Sequence, residues 1–182
     1  MNEESMRLFI ALQPAPAFRD ALAALQEQLR AAGVTGRYLT PENLHQTLAF
    51  IGMWPEDVTA LLPPVDAPFP IVLSHVGVFP KARVLWAGVE PSGALDSLAR
   101  QVRRVLAEAE IPFDRQEFNP HITLARKPNV PENMNLSEVQ VPRVEMTVRD
   151  ICLFHSDRGE NGMAYTVIGR SGMRGQATDN RD

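Results

Sequence analysis

A single cysteine, Cys152, is all the thiol this 182-residue chain carries. No intramolecular disulfide can form and no thiolate metal cluster can be assembled, which fits a reducing compartment and makes the cytoplasm the default location. Long apolar runs are missing too: the stretch Leu8 to Leu12 is far short of the ~20 residues that span a bilayer. The opening Met1-Asn2-Glu3-Glu4 is acidic where a secretory signal needs positive charge, so neither targeting nor membrane anchoring is expected. There is no excess of basic charge, with 18 Lys+Arg against 22 Asp+Glu, which excludes broad duplex binding driven by counterion release and confines any nucleic-acid contact to a local patch. No exposed apolar heptad is visible, and a monomer is the default.

What is present suits a folded domain. Hydrophobic residues make up 45% and charged residues 22%, near the averages for soluble chains, and the length fits one domain or two small lobes sharing a core. Arg7 to Leu12 reads as a buried strand stopped by Pro14 and Pro16. Phe18, Leu22, Leu25 and Leu29 recur at helical spacing up to Gly33. Asn43 to Gly52 alternates as a strand, and residues 53 to 68 are irregular with one short helical turn over 57 to 62. Phe69 to Phe79 and Arg83 to Val89 form two β-rich runs joined by Pro80-Lys81-Ala82, expected to pair antiparallel. A second helix carries Leu95, Leu98, Val102, Val105, Leu106 and Ala109. Strands follow over 121 to 125, 144 to 154 as one long element, and 165 to 168, before a frayed tail over 172 to 182. Interspersed helices and hairpins predict an α+β fold with antiparallel sheets.

The chain echoes itself. Each half has a strand, a long amphipathic helix and a strand bearing His-x-Thr-Leu: His45-Gln46-Thr47-Leu48 and His121-Ile122-Thr123-Leu124, 76 residues apart. Residues two apart on a strand share a face, so each motif presents an imidazole beside a hydroxyl. Two lobes facing each other would bring both pairs to one cleft. Imidazole is the side chain that changes charge near neutrality. One ring deprotonates an attacking hydroxyl, the other protonates the leaving oxygen, and the hydroxyls hold non-bridging oxygens of a phosphoryl group. No metal or other cofactor is called for: neither motif has His-x-x-x-His or His-x-Glu spacing, and no cysteine is near.

These motifs, the opening Arg7-Leu8-Phe9-Ile10-Ala11-Leu12, the stretch from Pro41 to Gly52, Gly77 to Gly88, and Pro120 to Arg126, with Ser156, Gly162 and Tyr165, together resemble the two-histidine (2H) phosphoesterases. The similarity is to the RNA 2′,3′-cyclic phosphodiesterase, or 2′-5′ RNA ligase, branch, and it runs from residue 7 to about 168. It implies a bilobal, pseudo-twofold α+β domain over 1–171, with two antiparallel sheets and flanking helices around a central cleft. It implies metal-independent hydrolysis of a 2′,3′-cyclic phosphate at an RNA end or nucleotide to a 2′-phosphomonoester, with reversible 2′-5′ RNA ligation as a second activity. His45 would be the acid and His121 the base, labels the resemblance leaves interchangeable, with Thr47 and Thr123 on the phosphate. Arg126 would be the cationic phosphate contact, although its odd offset from His121 puts it on the opposite face of a regular strand, so the chain must bend or the side chain must reach over. Two further readings stand beside this one: a nucleotide or RNA-end binding module without turnover, and a phosphodiesterase for a small cyclic phosphate or a 2′-5′ oligonucleotide.

Weaker candidates complete the list. Phe9, Tyr38 or Trp54 would stack a nucleobase, while Arg37, Lys81, Arg83, Lys127 and Arg158 would form a local basic rim. His75 and His155 read as structural, with His155 and Ser156 as alternative cleft residues, and Cys152 reads as core.

Overall fold

The computed structural model describes residues 5–159 and 162–171, so the tail expected over 172 to 182 lies outside the described residues. Nine strands and two long helices are present among them: β1 (Met6–Leu12), α1 (Pro16–Ala31), β2 (Thr35–Tyr38), β3 (Gln46–Trp54), β4 (Phe69–Phe79), β5 (Val84–Val89), α2 (Gly93–Glu108), β6 (Ile122–Asn129), β7 (Glu145–Val148), β8 (Cys152–Gly159) and β9 (Gly162–Arg170). Each helix buries the stripe its spacing dictates: Phe18, Leu22, Leu25 and Leu29 on α1, and Leu95, Leu98, Val102 and Leu106 on α2. Pro16 opens α1, and the Ser92 hydroxyl caps α2 by accepting from the Leu95 N–H at 3.0 Å.

All strand pairings are antiparallel, in the order β7-β4-β5-β6-β3-β1-β8-β9, with β2 also on β6. The two antiparallel halves meet at one residue pair, Gln46 opposite Ile122. The units β1-α1-β3 and β5-α2-β6 repeat at an offset of 76 to 78 residues, which is the internal echo in three dimensions.

Two segments depart from the sequence reading. The run 144 to 154 is not one strand: β7 pairs with β4, β8 pairs with β1, and the charged pair Arg149-Asp150 lies between them. The chain therefore changes halves at this point. In the opposite exchange β2, which carries no apolar alternation, leaves the first half to pair with β6. The short helical turn is a 3-10 turn over Thr59–Leu61.

Both motif strands carry a β-bulge at the same place. Ile10 faces Ala49 and Ala11 faces Thr47, so Leu48 is an extra residue; Leu85 faces Ala125 and Trp86 faces Thr123, so Leu124 is its counterpart. A side chain from the other half's helix satisfies each bulge carbonyl. Gln26 on α1, only 4% exposed, donates to Leu124 O at 3.0 Å and to Leu39 O at 2.9 Å, and Arg103 on α2 donates to Leu48 O at 3.2 Å. Positions 26 and 103 are themselves 77 apart, and each helix thus fixes the opposite motif.

Gln26→Met keeps volume and removes both amide donations, and is expected to cost about 1–3 kcal/mol. Urea unfolding checks this; an unchanged midpoint would refute the role given to Gln26.

Candidate active site

The pairing of Gln46 with Ile122 decides where the chemistry points. Both side chains are buried, at 2% and 1% exposure, so the residues on either side of them face the opposite way, into the cleft. Continued by one residue, the register sets His45 beside Thr123 and Thr47 beside His121, with directly opposed Cβ atoms ~5 Å apart on one face. Four side chains expected from the sequence thus form one quartet, all half-buried.

Each ring is pinned in the same way. His45 Nδ1 lies 2.7 Å from Asn43 O, and His121 Nδ1 lies 2.8 Å from Asn119 O. A carbonyl only accepts, so Nδ1 carries the proton and donates, leaving Nε2 free for substrate. The sequence signal for this is an Asn two residues before each histidine, and it lengthens the echo to Asn-x-His-x-Thr-Leu-Ala. Asn43 is itself tied to β9: its side chain donates to Met163 O at 2.9 Å and accepts from Tyr165 N at 3.2 Å.

The bulge at Leu124 resolves the difficulty with Arg126. One extra residue converts its odd offset into an even one, and Arg126 lies opposite Val84, on the face shared by Trp86 and Thr123. It reaches the cleft by strand geometry, and its charge acts on His45. At the matching position of the first motif stands Phe50, beneath Arg7, whose guanidinium carbon is 4.9 Å from the ring centroid.

The two imidazoles have different surroundings. His45 packs against Phe9 at 4.6 Å between ring centroids, Tyr165 at 5.2 Å and Phe154 at 5.8 Å. Burial pulls its pKa from 6.5 to about 4; the bond to the Asn43 carbonyl opposes this, and the charges of Arg126 and His121 add to it. His121 meets Phe79 edge-on at 5.1 Å. Phe79 and Trp86 continue into a cleft of about 470 Å3 that His75, Asn119 and Pro120 also line. Trp86 lies flat because its partner is Gly77, where a Cβ would come within 2.5 Å of the indole. These aromatics were not singled out from the sequence, although Trp86 stands directly across from Thr123.

The weaker candidates separate. Phe9 stacks on Phe154 at 5.0 Å in a buried cluster beside His45. Tyr38 pairs with the buried Ala125, donates to Val34 O and lies under Arg30, and Trp54 pairs with Met6 and packs on the main core; neither lines the cleft. Ser156 shares the cleft face with Arg7 while His155 pairs with Leu8 on the other. His75, read as structural, is an exposed part of the cleft wall, edge-on to Trp86 at 5.4 Å. Cys152 is fully buried, and burial pushes its thiol up to about 11. Among the described residues no three His, Cys, Asp or Glu side chains cluster to hold a metal ion, and no helix is long and apolar enough to cross a membrane.

Fold and site together define a two-lobed protein with two histidine–threonine pairs across one cleft. The chain belongs to the 2′-5′ RNA ligase superfamily, whose family model matches residues 14–160. It is 33% identical over 172 residues to the RNA 2′,3′-cyclic phosphodiesterase of Archaeoglobus fulgidus, an alignment covering 88% of this chain and 96% of that protein. It is also 33% identical over 193 residues to the Thermus thermophilus protein of the same name, covering 94% and 92%. Among solved structures, E. coli LigT in its apo form matches with a TM-score of 0.74 at 26% identity, over 92% of this chain and 96% of LigT. LigT complexed with 3′-AMP matches with a TM-score of 0.73.

A histidine whose folded pKa lies below its unfolded value makes the unfolded state the better proton acceptor between the two, so stability falls as pH drops from 6.5 toward 4. Relative to His45→Asn, the wild type should lose up to roughly 3 kcal/mol across that window. An NMR titration should place the His45 midpoint near 4, and Arg126→Gln should raise it by removing a repelling charge. A wild-type midpoint at 6.5 would contradict the environment described.

Proposed function

We propose that this protein hydrolyses the 2′,3′-cyclic phosphate of an RNA end or nucleotide to a 2′-phosphomonoester without a metal ion. The observation that carries the proposal is the quartet around the Gln46–Ile122 pair, with two imidazoles pinned through Nδ1 and free at Nε2. Names borne by relatives, such as RNA 2′,3′-cyclic phosphodiesterase, support the same chemistry.

The reaction is a displacement at phosphorus. His121 Nε2 accepts a proton from water as its oxygen forms a bond to phosphorus, the bond from phosphorus to O3′ breaks, and His45 Nε2–H donates its proton to O3′. The product carries a 2′-phosphate and a free 3′-hydroxyl. Thr47 and Thr123 donate to the non-bridging oxygens, and Arg126 balances their charge. With a midpoint near 4, His45 is neutral in the empty cleft at pH 7. Burial is the chief cause of that low value; a phosphate anion entering beside Arg126 cancels the cation's repulsion and also attracts the imidazolium directly, so the proton His45 delivers is taken up with the substrate. A site that holds this proton weakly gives it readily to an alkoxide. With a ribose 5′-hydroxyl in place of water, the same displacement joins two RNA ends through a 2′-5′ linkage, and its reversal cleaves that linkage.

The test is incubation with a nucleoside 2′,3′-cyclic phosphate in excess EDTA, with the product regiochemistry assigned. The wild type should yield the 2′-monophosphate. His45→Ala and His121→Ala should each abolish turnover while remaining folded, and Thr47→Val or Thr123→Val should lower kcat about 10²-fold. Turnover retained in either histidine variant would sink the two-histidine mechanism; wild-type activity only with added metal would replace it by a metallohydrolase.

A further inference from the structure

The three segments that meet beyond Thr123, residues 33–41, 80–89 and 119–131, contain Arg37, Lys81, Arg83, Arg126 and Lys127 and no Asp or Glu, in a chain whose acids outnumber its bases by 22 to 18. The fold concentrates this charge. Arg37 on β2 lies directly opposite Arg126 on β6, both are exposed, and the register puts Arg37 on the face that the bulge gives Arg126. Like charges opposed across a strand pair destabilise it, and the ion pairs among the described residues are elsewhere: Arg30 with Glu27, Arg143 with Glu90 and Arg170 with Asp150. Gly36 makes the juxtaposition sterically feasible, since a Cβ there would stand 3.1 Å from Pro128 Cα and 3.2 Å from Arg126 O.

Lys127 and Arg83 extend the strip. Both hold left-handed backbone, at φ 52° and 57°, which costs side-chain-bearing residues roughly 1–2 kcal/mol each, and the Lys127 N–H donates to Arg83 O at 2.9 Å. The corner sets two more cations at the end of β6, about 10 Å beyond Thr123 at ~3.3 Å per residue. The cavity beside His121 is lined instead by Phe79, Trp86 and His75 together with the acids Glu90 and Asp96.

We propose that Arg37, Lys127 and Arg83 form a second anion subsite, which takes a backbone phosphate of a single RNA strand whose 3′-terminal cyclic phosphate sits in the quartet. The inference rests on the functional reading above and narrows it: the cleft is built for the end of a polynucleotide, with the strand leaving along β6 over the arginine pair. The five cations also give a chain of net charge -4 a local basic strip, although Glu42, Glu90 and Glu132 stand just past the ends of these segments; Glu90 is paired with Arg143, and a Debye length of about 8 Å screens acids farther away.

The experiment compares a nucleoside 2′,3′-cyclic phosphate with a short oligoribonucleotide ending in the same group, using wild type, the double variant Arg37→Gln/Lys127→Asn, the charge-preserving pair Arg37→Lys/Lys127→Arg, and Arg100→Gln on α2 as a control. Asn is chosen at 127 because it tolerates left-handed backbone. The double variant should leave the mononucleotide reaction unchanged and raise KM for the oligonucleotide about tenfold at constant kcat. It should also flatten log(kcat/KM) against log[salt] by about 0.7, the slope carried by one lost phosphate contact on a single strand. The charge-preserving pair and the control should behave as wild type. An unchanged KM for the oligonucleotide, or equal damage to both substrates, would overturn the subsite. If the wild type turned over neither substrate, the functional reading itself would fail. The subsite would then be judged by fluorescence anisotropy of the oligonucleotide carrying a terminal 2′-phosphate: weaker binding by the double variant supports it, and equal binding overturns it.

Discussion

One residue pair, Gln46 against Ile122, holds the two halves of the sheet together in register, and the site depends on it. When equivalent positions of two copies of a motif pair antiparallel, a twofold axis must pass between them. Every side chain one residue away is then duplicated on a common face. Burying Gln46 and Ile122 fixes which face that is, because a slip of one residue would expose both and turn the histidines and threonines into the core. A single pair is a thin joint, and it is reinforced from behind: α1 reaches the bulge of β6 through Gln26, and α2 reaches the bulge of β3 through Arg103. The exchanges of β2 and of β8–β9 between halves tie the same joint again. Separating the lobes therefore breaks a buried hydrogen bond on one side of the cleft and a partly buried one on the other.

A symmetric scaffold need not carry symmetric chemistry. The rings have the same tautomer and the same backbone partner, yet His45 is enclosed by Phe9, Phe154 and Tyr165 while Phe79 alone among the described aromatics stands against His121. Enclosure penalises the charged imidazole, and an adjacent cation adds to the penalty. Two side chains of the same type are thus given different surroundings by the same scaffold.

Much of this was legible in the sequence, and the illegible remainder has a common cause. The strands over 69 to 79 and 84 to 89, both helices and both motifs follow from periods of 2.0 and 3.6 that neighbouring residues impose on one another. Arg126 could not be placed by that reasoning, because parity counting presumes a regular strand and the bulge at Leu124 is stabilised by a glutamine 98 positions away. The division of 144 to 154 between β7 and β8 is equally non-local: both pieces are strand-like, and only the partner strands show that they lie in different halves. Trp86 escaped notice because its importance comes from its cross-strand partner, Thr123. Two local clues were passed over: the Asn two residues before each histidine, and Gln26, a polar residue four positions after Leu22 in an otherwise apolar helical stripe.

The repeated heptapeptide can be read position by position against these constraints. The Asn carbonyl pins the ring, the histidine keeps Nε2 free on the cleft face, the second x position pairs across the axis, and the threonine shares the face of the histidine. The leucine is the bulge residue whose carbonyl the opposite helix grips, and the alanine after it, Ala49 or Ala125, is buried at 0% or nearly so. Identity between the copies ends at the next residue, Phe50 in one and Arg126 in the other. There the bulge first returns the chain to the cleft face, and there the two halves differ: an aromatic ring under Arg7 on one side, and on the other a guanidinium that stands opposite Arg37.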